Sequence, residues 1–101
     1  MLKIGRREYH LVKLKQENVD ELISEIRTTL SMVNLPEGYQ IRIFKDPIVC
    51  CGVVPNEVVI EITGPEESTI KDLDKMVVSK IIKISEEKNL EMHSLEPLEI
   101  V

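Results

Sequence analysis

The stretch of sequence that decides the fold is residues 39–63, YQIRIFKDPIVCCGVVPNEVVIEIT, the most apolar and most β-branched part of the chain. It begins and ends with runs in which apolar and polar residues alternate. Side chains of a strand point alternately to its two faces, so these runs are typical of strands with one buried face and one wetter face. The residues predicted to face the core are Tyr39, Ile41, Ile43, Val58, Ile60 and Ile62.

The segment between the two runs, residues 48–54, is apolar on both faces and contains both cysteines. Such a segment is either buried on both sides or covered by a partner. Pro55 and Asn56 have the chemistry of a tight turn, because proline presets φ and asparagine tolerates the left-handed conformation. The pattern therefore predicts a hairpin whose second strand is residues 57–63. We expect a bend near Pro47, which has no backbone N–H to donate.

Two further strands are predicted near the ends of the chain. Residues 9–14 read as an interior strand, preceded by a kink or bulge at Gly5. Residues 90–93 alternate as a short strand does. Residues 94–101 alternate more loosely and contain Pro97, which predicts an edge segment or a tail that pairs with something.

Two other segments carry apolar residues at helical spacing. The first follows Asn18, which can cap a helix while Glu21 reaches back to it, and Asn34 can end that helix. The second is predicted to be capped by Ser68 or Thr69. Its apolar stripe is wide, which indicates burial against both the sheet and the neighbouring helix, or against a partner.

The predicted order of elements is strand, helix, hairpin, helix, strand. Right-handed crossovers join such elements without long loops. This order predicts an α+β fold of the ferredoxin-like type, a βαββαβ sandwich whose antiparallel sheet carries two helices on one face. In that fold the first and third strands are central and the last strand lies beside the first. The other face of the sheet is open unless a partner covers it.

Composition indicates a single α/β domain covering residues 1–101. Ile and Val together supply 24 of the 101 residues, and Ala and Trp are absent, which favours a sheet over a helical bundle. The sequence contains no apolar run long enough to span a membrane and no signal-peptide pattern at its start. Two cysteines without framework spacing fit a reducing compartment, so we expect a cytoplasmic protein.

The net charge of −5 is unevenly distributed. Residues 1–15 carry five basic side chains and one acidic one, whereas residues 16–101 carry eight basic and 17 acidic ones. The basic start is either a solvated strand edge that resists aggregation or a docking site for an acidic partner. The acidic remainder disfavours nucleic acid as a partner, and three aromatic residues are few for a sheet that stacks bases.

The sequence also supplies candidate metal ligands. In the predicted fold His10 and His93 lie on neighbouring antiparallel strands, and Cys50 of the hairpin can approach the same surface. Two imidazoles and a thiolate suit zinc or another divalent transition metal. The set depends on register, since a slip of one residue moves a side chain to the other face. The alternative is that the histidines are ordinary surface residues and that both cysteines are small core residues.

No catalytic motif stands out, because the sequence lacks a nucleophile elbow, an HExxH pair, a calcium loop and a phosphate-binding glycine loop. The leading hypothesis is a non-enzymatic interaction or regulatory module. It would form a homo-oligomer, or join a larger assembly, through its open sheet face or its hairpin, because the chain has surplus apolar side chains. The alternative hypothesis is a small-ligand or transition-metal-binding protein that uses His10, His93 and a cysteine. The expected interface residues are Phe44, Val49, Cys51, Val53 and Val59.

Overall fold

The computed structural model describes residues 2–11, 16–45, 57–88, 92–95 and 97–101, and the side chains of residues 2–8, 20–45, 58–88 and 97–101. These residues form two helices and five strands. In chain order the elements are β1 (Lys3–Leu11), α1 (Gln16–Ser31), β2 (Gln40–Lys45), β3 (Glu57–Gly64), α2 (Glu67–Glu87), β4 (Met92–Leu95) and β5 (Glu99–Ile100).

The strands form one antiparallel sheet in the order β2-β3-β1-β4, and the short β5 also pairs with β1. β1 and β3 are therefore central. β4 and β5 lie along the same side of β1, which makes the C-terminal segment an edge of the sheet. This order confirms the predicted ferredoxin-like α+β fold, in which the last strand lies beside the first.

Both helices cover the same face of the sheet, because alternate residues of the central strands pack against each of them. Ile43 of β2 lies opposite Ile60 of β3, which in turn lies opposite Arg7 of β1. Burying an aliphatic side chain of this size contributes about 1.5–3 kcal/mol, so this layer supplies most of the stability. The buried apolar residues of the layer are Leu22, Ile23, Ile26, Ile43, Val58, Ile60, Ile62, Ile70, Leu73, Val77, Ile81 and Ile84.

Ion pairs join the helices at the surface of this layer. The Lys88 ammonium group, just after α2, lies 2.9 Å from a carboxylate oxygen of Glu21 and 2.9 Å from one of Glu25, both on α1. Hydrogen bonds to Glu25 and Glu21 raise the pKa of Lys88 to about 12. Lys88 therefore keeps its charge across the whole neutral range.

β1 differs from its prediction, because it begins at Lys3 and runs through Gly5 without a break. Its register with β3 is continuous from the pair Lys3 and Gly64 to the pair His10 and Glu57. The expected kink at Gly5 is wrong. A Cβ at Gly5 would lie 2.6 Å from Cγ2 of Ile70, so glycine is required there by the close approach of α2.

The helices also begin earlier than predicted. α1 starts at Gln16, which places Asn18 inside it, and α2 starts at Glu67, ahead of Ser68 and Thr69. The predicted capping residues of both helices are therefore wrong. At α2 the Tyr39 hydroxyl accepts a hydrogen bond of 3.1 Å from the Glu66 backbone N–H, the position that precedes the helix. Within the described residues, no helix has the length and apolar character needed to cross a membrane.

The strand predicted at residues 90–93 extends two residues further than expected at its C-terminal end. β4 covers Met92–Leu95, whereas the alternation predicted residues 90–93, of which residues 90 and 91 lie outside the described part of the chain. After Pro97 the chain returns to β1, where Ile100 pairs with Gly5. The predicted turn and the apolar segment before it, within residues 46–56, lie outside the described residues.

Candidate functional site

The face of the sheet that carries no helix is the candidate site, and we call it the helix-free face. Side chains of a strand alternate between faces, and directly paired residues share a face. Gly5 and Arg7 of β1 point toward α2, so the residues between and beside them point the other way. The described side chains of the helix-free face are Ile4, Arg6, Glu8, Gln40, Arg42, Phe44, Val59, Glu61, Thr63 and Glu99.

A row of alternating charge crosses the helix-free face from one edge to the other. Arg42 of β2 pairs with Glu61 of β3, Glu61 pairs with Arg6 of β1, and Arg6 pairs with Glu99 of β5. We call these four residues the charge row. Its signs read plus, minus, plus, minus across the sheet. Because they occupy one register position, their side chains stand next to one another in a line perpendicular to the strands.

Direct ion pairs order the inner part of the charge row. Glu61 lies 3.4 Å from Arg6 and 3.5 Å from Arg42, one guanidinium on each of its carboxylate oxygens. Arg6 also lies 3.1 Å from Glu8, and Arg42 sits 5.3 Å from the centre of the Phe44 ring. The Glu61 side chain is 20% exposed, whereas that of Arg42 is 63% exposed. The inner charges are thus held in place, and the outer arginine presents much of its surface to solvent.

Apolar residues occupy the helix-free face on both sides of the charge row. Toward one side, Val59 is fully buried, although it lies on the opposite face from the main core. It pairs with Glu8 and Phe44 on its two neighbouring strands. The alternation of β3 predicts that Val59 adds exposed apolar surface, but its burial within one chain shows that it does not. Phe44, the other expected interface residue in this area, is partly exposed.

Toward the other side of the row, apolar residues are exposed to solvent. Leu2 is 65% exposed, Ile4 is 44% exposed and Val101 is 89% exposed. Ile4 and Val101 exchange two backbone hydrogen bonds, of 3.2 and 2.9 Å, so they lie side by side. Sequence reasoning missed this cluster because Ile4 and Val101, which are far apart in sequence, become neighbours only when β5 pairs with β1.

The remaining predicted interface residues, Val49, Cys51 and Val53, lie outside the described residues. The same is true of Cys50, the proposed thiolate ligand. No group of three or more metal-ligating side chains occurs among the residues whose side chains are described. The interface role of the hairpin stays a prediction, as does the role of its two cysteines.

The proposed metal ligands His10 and His93 lie on paired strands, as predicted, but they are not direct partners. Ser94 is the register partner of His10, and the register shifts immediately afterwards, where Leu11 pairs with Met92. His93 therefore falls at an irregular position of the ladder. Because the side chains of both histidines lie outside the described set, a metal site at this end of β1 stays a prediction.

A buried ion pair lies on the helix-covered face. Asp74 of α2 is 3% exposed, and the Arg7 guanidinium donates to both of its carboxylate oxygens, at 3.1 and 2.8 Å. Desolvation by burial raises the pKa of Asp74 above its usual value, while the Arg7 charge and its hydrogen bonds act in the opposite direction. This pair joins β1 to α2 and lies beneath the helices, so it is not accessible to a large partner.

Comparison with known proteins concerns the fold. No protein-family model matches the chain, and no curated protein matches it. Among solved structures it is similar to the de novo designed protein Foldit4, with a TM-score of 0.52 and 17% identity over 99% of this chain and 94% of that one. It is also similar to a hypothetical protein of Arabidopsis thaliana, with a TM-score of 0.54 and 13% identity over 99% and 83% of the two chains. These two proteins have the same architecture as the chain, and a similarity of this kind says nothing about activity.

A third solved structure is much longer than this chain. It is an amidase of the hydantoinase/carbamoylase family from Burkholderia multivorans, matched with a TM-score of 0.44 and 13% identity. The match covers 98% of this chain but only 27% of the amidase. This chain therefore spans about a quarter of the length of that protein.

Proposed function

We propose that the chain is a non-enzymatic interaction module that associates with a second copy of itself through the helix-free face. The observation that carries the proposal is the charge row, whose four members alternate in sign across the sheet. Charged groups at an interface fix the orientation of the partners more than they add affinity. A row that alternates in this way is suited to select one orientation of a second sheet.

The charge row is electrostatically complementary to a second copy of itself that crosses the sheet in the opposite direction. A two-fold axis parallel to the strands, lying between two stacked sheets, reverses the row of the partner. Arg42 of one copy then faces Glu99 of the other, and Glu61 faces Arg6. Every contact along the row joins opposite charges. A two-fold axis perpendicular to the strands would instead place each residue against its own copy, so like charges would meet and that arrangement is disfavoured.

Exposed apolar surface beside the row supports the same contact. Ile4 and Val101 lie side by side, and they and Leu2, two residues before Ile4, are between 44% and 89% exposed. A second sheet stacked about 10 Å away would remove part of this surface from water. Apolar burial of this kind supplies affinity, whereas the charge row supplies orientation.

A lysine at Val59 would be a poor test of the contact, because Val59 is fully buried within a single chain and its replacement would disrupt the fold. Arg42 and Glu99 are better positions, since both are exposed. Three strand spacings separate them, or about 14 Å, which exceeds the screening length of roughly 8 Å at physiological salt. They interact with each other only between copies.

The test is charge reversal at these two positions, followed by sedimentation velocity over a range of micromolar concentrations. Arg42→Glu or Glu99→Arg alone places like charges together at two symmetry-related contacts, so we expect self-association to weaken at least about tenfold. The double variant restores opposite charges between copies and should recover most of the association. Within one chain it adds repulsion beside Glu61 and Arg6, so recovery cannot arise inside the monomer.

Matched controls exclude an effect of net charge. Glu37→Arg and Lys75→Glu change the charge by the same amounts at exposed positions outside the helix-free face, and they should leave association unchanged. Circular dichroism confirms that each variant is folded. A wild-type chain that remains monomeric at every concentration refutes the proposal, and so does a double variant that associates no better than the two single ones.

A further inference from the structure

A second site lies at the outer edge of β2, away from the charge row's inner pairs. A pocket of about 370 Å³ opens between the C-terminal end of α1, the connection that follows it, and β2. Its volume lies within the range of sites that hold small organic molecules. Its apolar wall is formed by Leu30, Leu35, Ile41 and Phe44.

The polar part of the pocket is positively charged. Two guanidinium groups, of Arg27 and Arg42, line it, and its described lining residues include no carboxylate. The chain as a whole carries a net charge of −5, so a pocket lined by two arginines and by no described acidic residue differs from most of the surface, although Arg42 also contacts Glu61 outside the pocket. An apolar wall beside two cations suits a molecule that has an apolar part and an anionic end.

Two hydrogen bonds hold the Arg27 guanidinium group in position and use only part of its N–H donors. Its Nε and Nη2 atoms donate to the backbone carbonyl of Ile43, at 3.2 and 2.7 Å. A guanidinium group has five N–H donors in a planar fork, and within the described residues these bonds use two of them, which leaves three for a ligand. Arg42 likewise keeps most of its donors, because within the described residues its ion pair with Glu61 uses Nη1.

The hydrogen bonds of Arg27 also argue against a peptide strand as the occupant. Among the described strands β2 lies at an edge of the sheet, and an added strand would have to pair with the backbone groups along its outer side. The Ile43 carbonyl, one of the acceptors of this strand, is already occupied by Arg27. A small molecule that approaches the guanidinium groups without pairing to the backbone fits this geometry better.

We propose that this pocket binds a small organic carboxylate with a short apolar tail. The carboxylate lies between Arg27 and Arg42, and the tail packs against Leu30, Leu35 and Ile41. The walls of the site all belong to one chain, so the pocket is present in a single copy. Arg42 is shared with the charge row, so the test uses another lining residue.

The experiment is a titration of the ¹⁵N-labelled chain with hexanoate, followed by amide chemical shifts. A ligand of this size is expected to bind with a Kd on the order of 1 mM and to shift the amides of Leu30, Leu35 and Ile41. Hexanol carries the same tail without the charge, hexylamine carries the opposite charge, and acetate carries the charge without the tail. Each should bind at least about fivefold more weakly than hexanoate.

Ser31 provides a matched pair of variants, since it lines the pocket, is exposed and is the last residue of α1. We expect Ser31→Glu to weaken hexanoate binding on the order of fivefold and Ser31→Lys to strengthen it by a similar factor. The lysine variant also places a cation at the end of a helix that has no basic residue in its last turn, so it remains folded. Equal shifts with hexanoate and hexanol, shifts confined to another surface, or equal affinities of the two Ser31 variants would each overturn the proposal.

Discussion

The helix-covered and helix-free faces of the sheet are made from the same strands, yet they use their residues differently. The helix-covered face is a continuous layer of aliphatic side chains that includes a buried ion pair. The helix-free face has partly exposed charges in its middle and apolar residues on both sides of them. The difference shows how a chain rich in Ile and Val builds two unlike faces from the same strands: one supplies stability, and the other leaves charged and apolar side chains partly exposed to solvent.

Neighbouring residues of β3 show most directly how the two faces of the sheet differ. Val58, Val59 and Ile60 are all buried to within 1% exposure, although Val59 points to the opposite face from the other two. One residue further on, Glu61 begins the charged part of the helix-free face. The helix-free face is therefore shielded from solvent near Val59 and exposed near Glu61 and Ile4. Any contact with a partner is limited to this exposed, charged and N-terminal part.

The largest expected effect comes from the helix-covered face, at Ile62. Ile62 is fully buried, so Ile62→Ala should lower the free energy of unfolding by about 3 kcal/mol, through lost burial and the cavity left behind. Thr63→Ala, one residue along and on the other face, is the control and should change it by less than about 0.5 kcal/mol. Urea unfolding followed by circular dichroism measures both. Equal losses at the two positions would show that the faces do not differ in this way.

The next effect concerns the buried ion pair of the same face. Asp74→Ala removes both acceptors of the Arg7 guanidinium and should cost about 2 kcal/mol. Asp74→Asn keeps an acceptor and removes the charge whose burial is unfavourable, so it should lie within about 1 kcal/mol of the wild type at neutral pH. An asparagine variant as unstable as the alanine one would show that the ionic attraction dominates over desolvation.

The pH dependence of stability tests the same residue. Because burial raises the pKa of Asp74, the folded chain binds a proton at this carboxyl more readily than the unfolded chain does. The contribution of this protonation to stability is complete below the unfolded pKa of 3.8 and is lost as the pH rises through the raised folded pKa. The wild type should therefore gain stability relative to Asp74→Asn as the pH falls through that window. A gap that stays constant, or that changes in the opposite direction, would contradict the raised pKa.

Much of the fold could be predicted because alternation and helical spacing are local. Ile43, Ile60 and Ile62 are buried as their two-residue period indicated, and the order of elements led directly to the sheet topology. The residues at which strands and helices begin were harder to predict. The preference of Gly5 for a kink was overridden by the close approach of α2, and the backbone N–H that precedes α2 donates to the Tyr39 hydroxyl, 27 residues away in sequence.

The candidate sites were harder to predict, because they depend on register and on contacts between distant elements. Arg6, Glu61 and Glu99 are ordinary charged residues in the sequence, and they form a row only once β1, β3 and β5 are aligned. The β2 pocket likewise depends on how Arg27 of α1 reaches the backbone of Ile43. The signal available from sequence was weaker: in a strand, a charged residue at each alternate position marks a face that the core does not use.

The smallest expected effect on stability is at Glu61, where one substitution distinguishes a role in folding from a role in self-association. Glu61→Gln removes the carboxylate shared by Arg6 and Arg42, a partly exposed set, so the free energy of unfolding should fall by only about 0.5 kcal/mol. Glu67→Gln on α2 is the matched control, because Glu67 also contacts two basic side chains, Lys3 and Lys71. Sedimentation should show weaker self-association for the Glu61 variant alone, with the difference shrinking at high salt as the charges are screened. A loss of stability above about 2 kcal/mol with unchanged association would mean that the charge row maintains the fold of one chain rather than the contact between two.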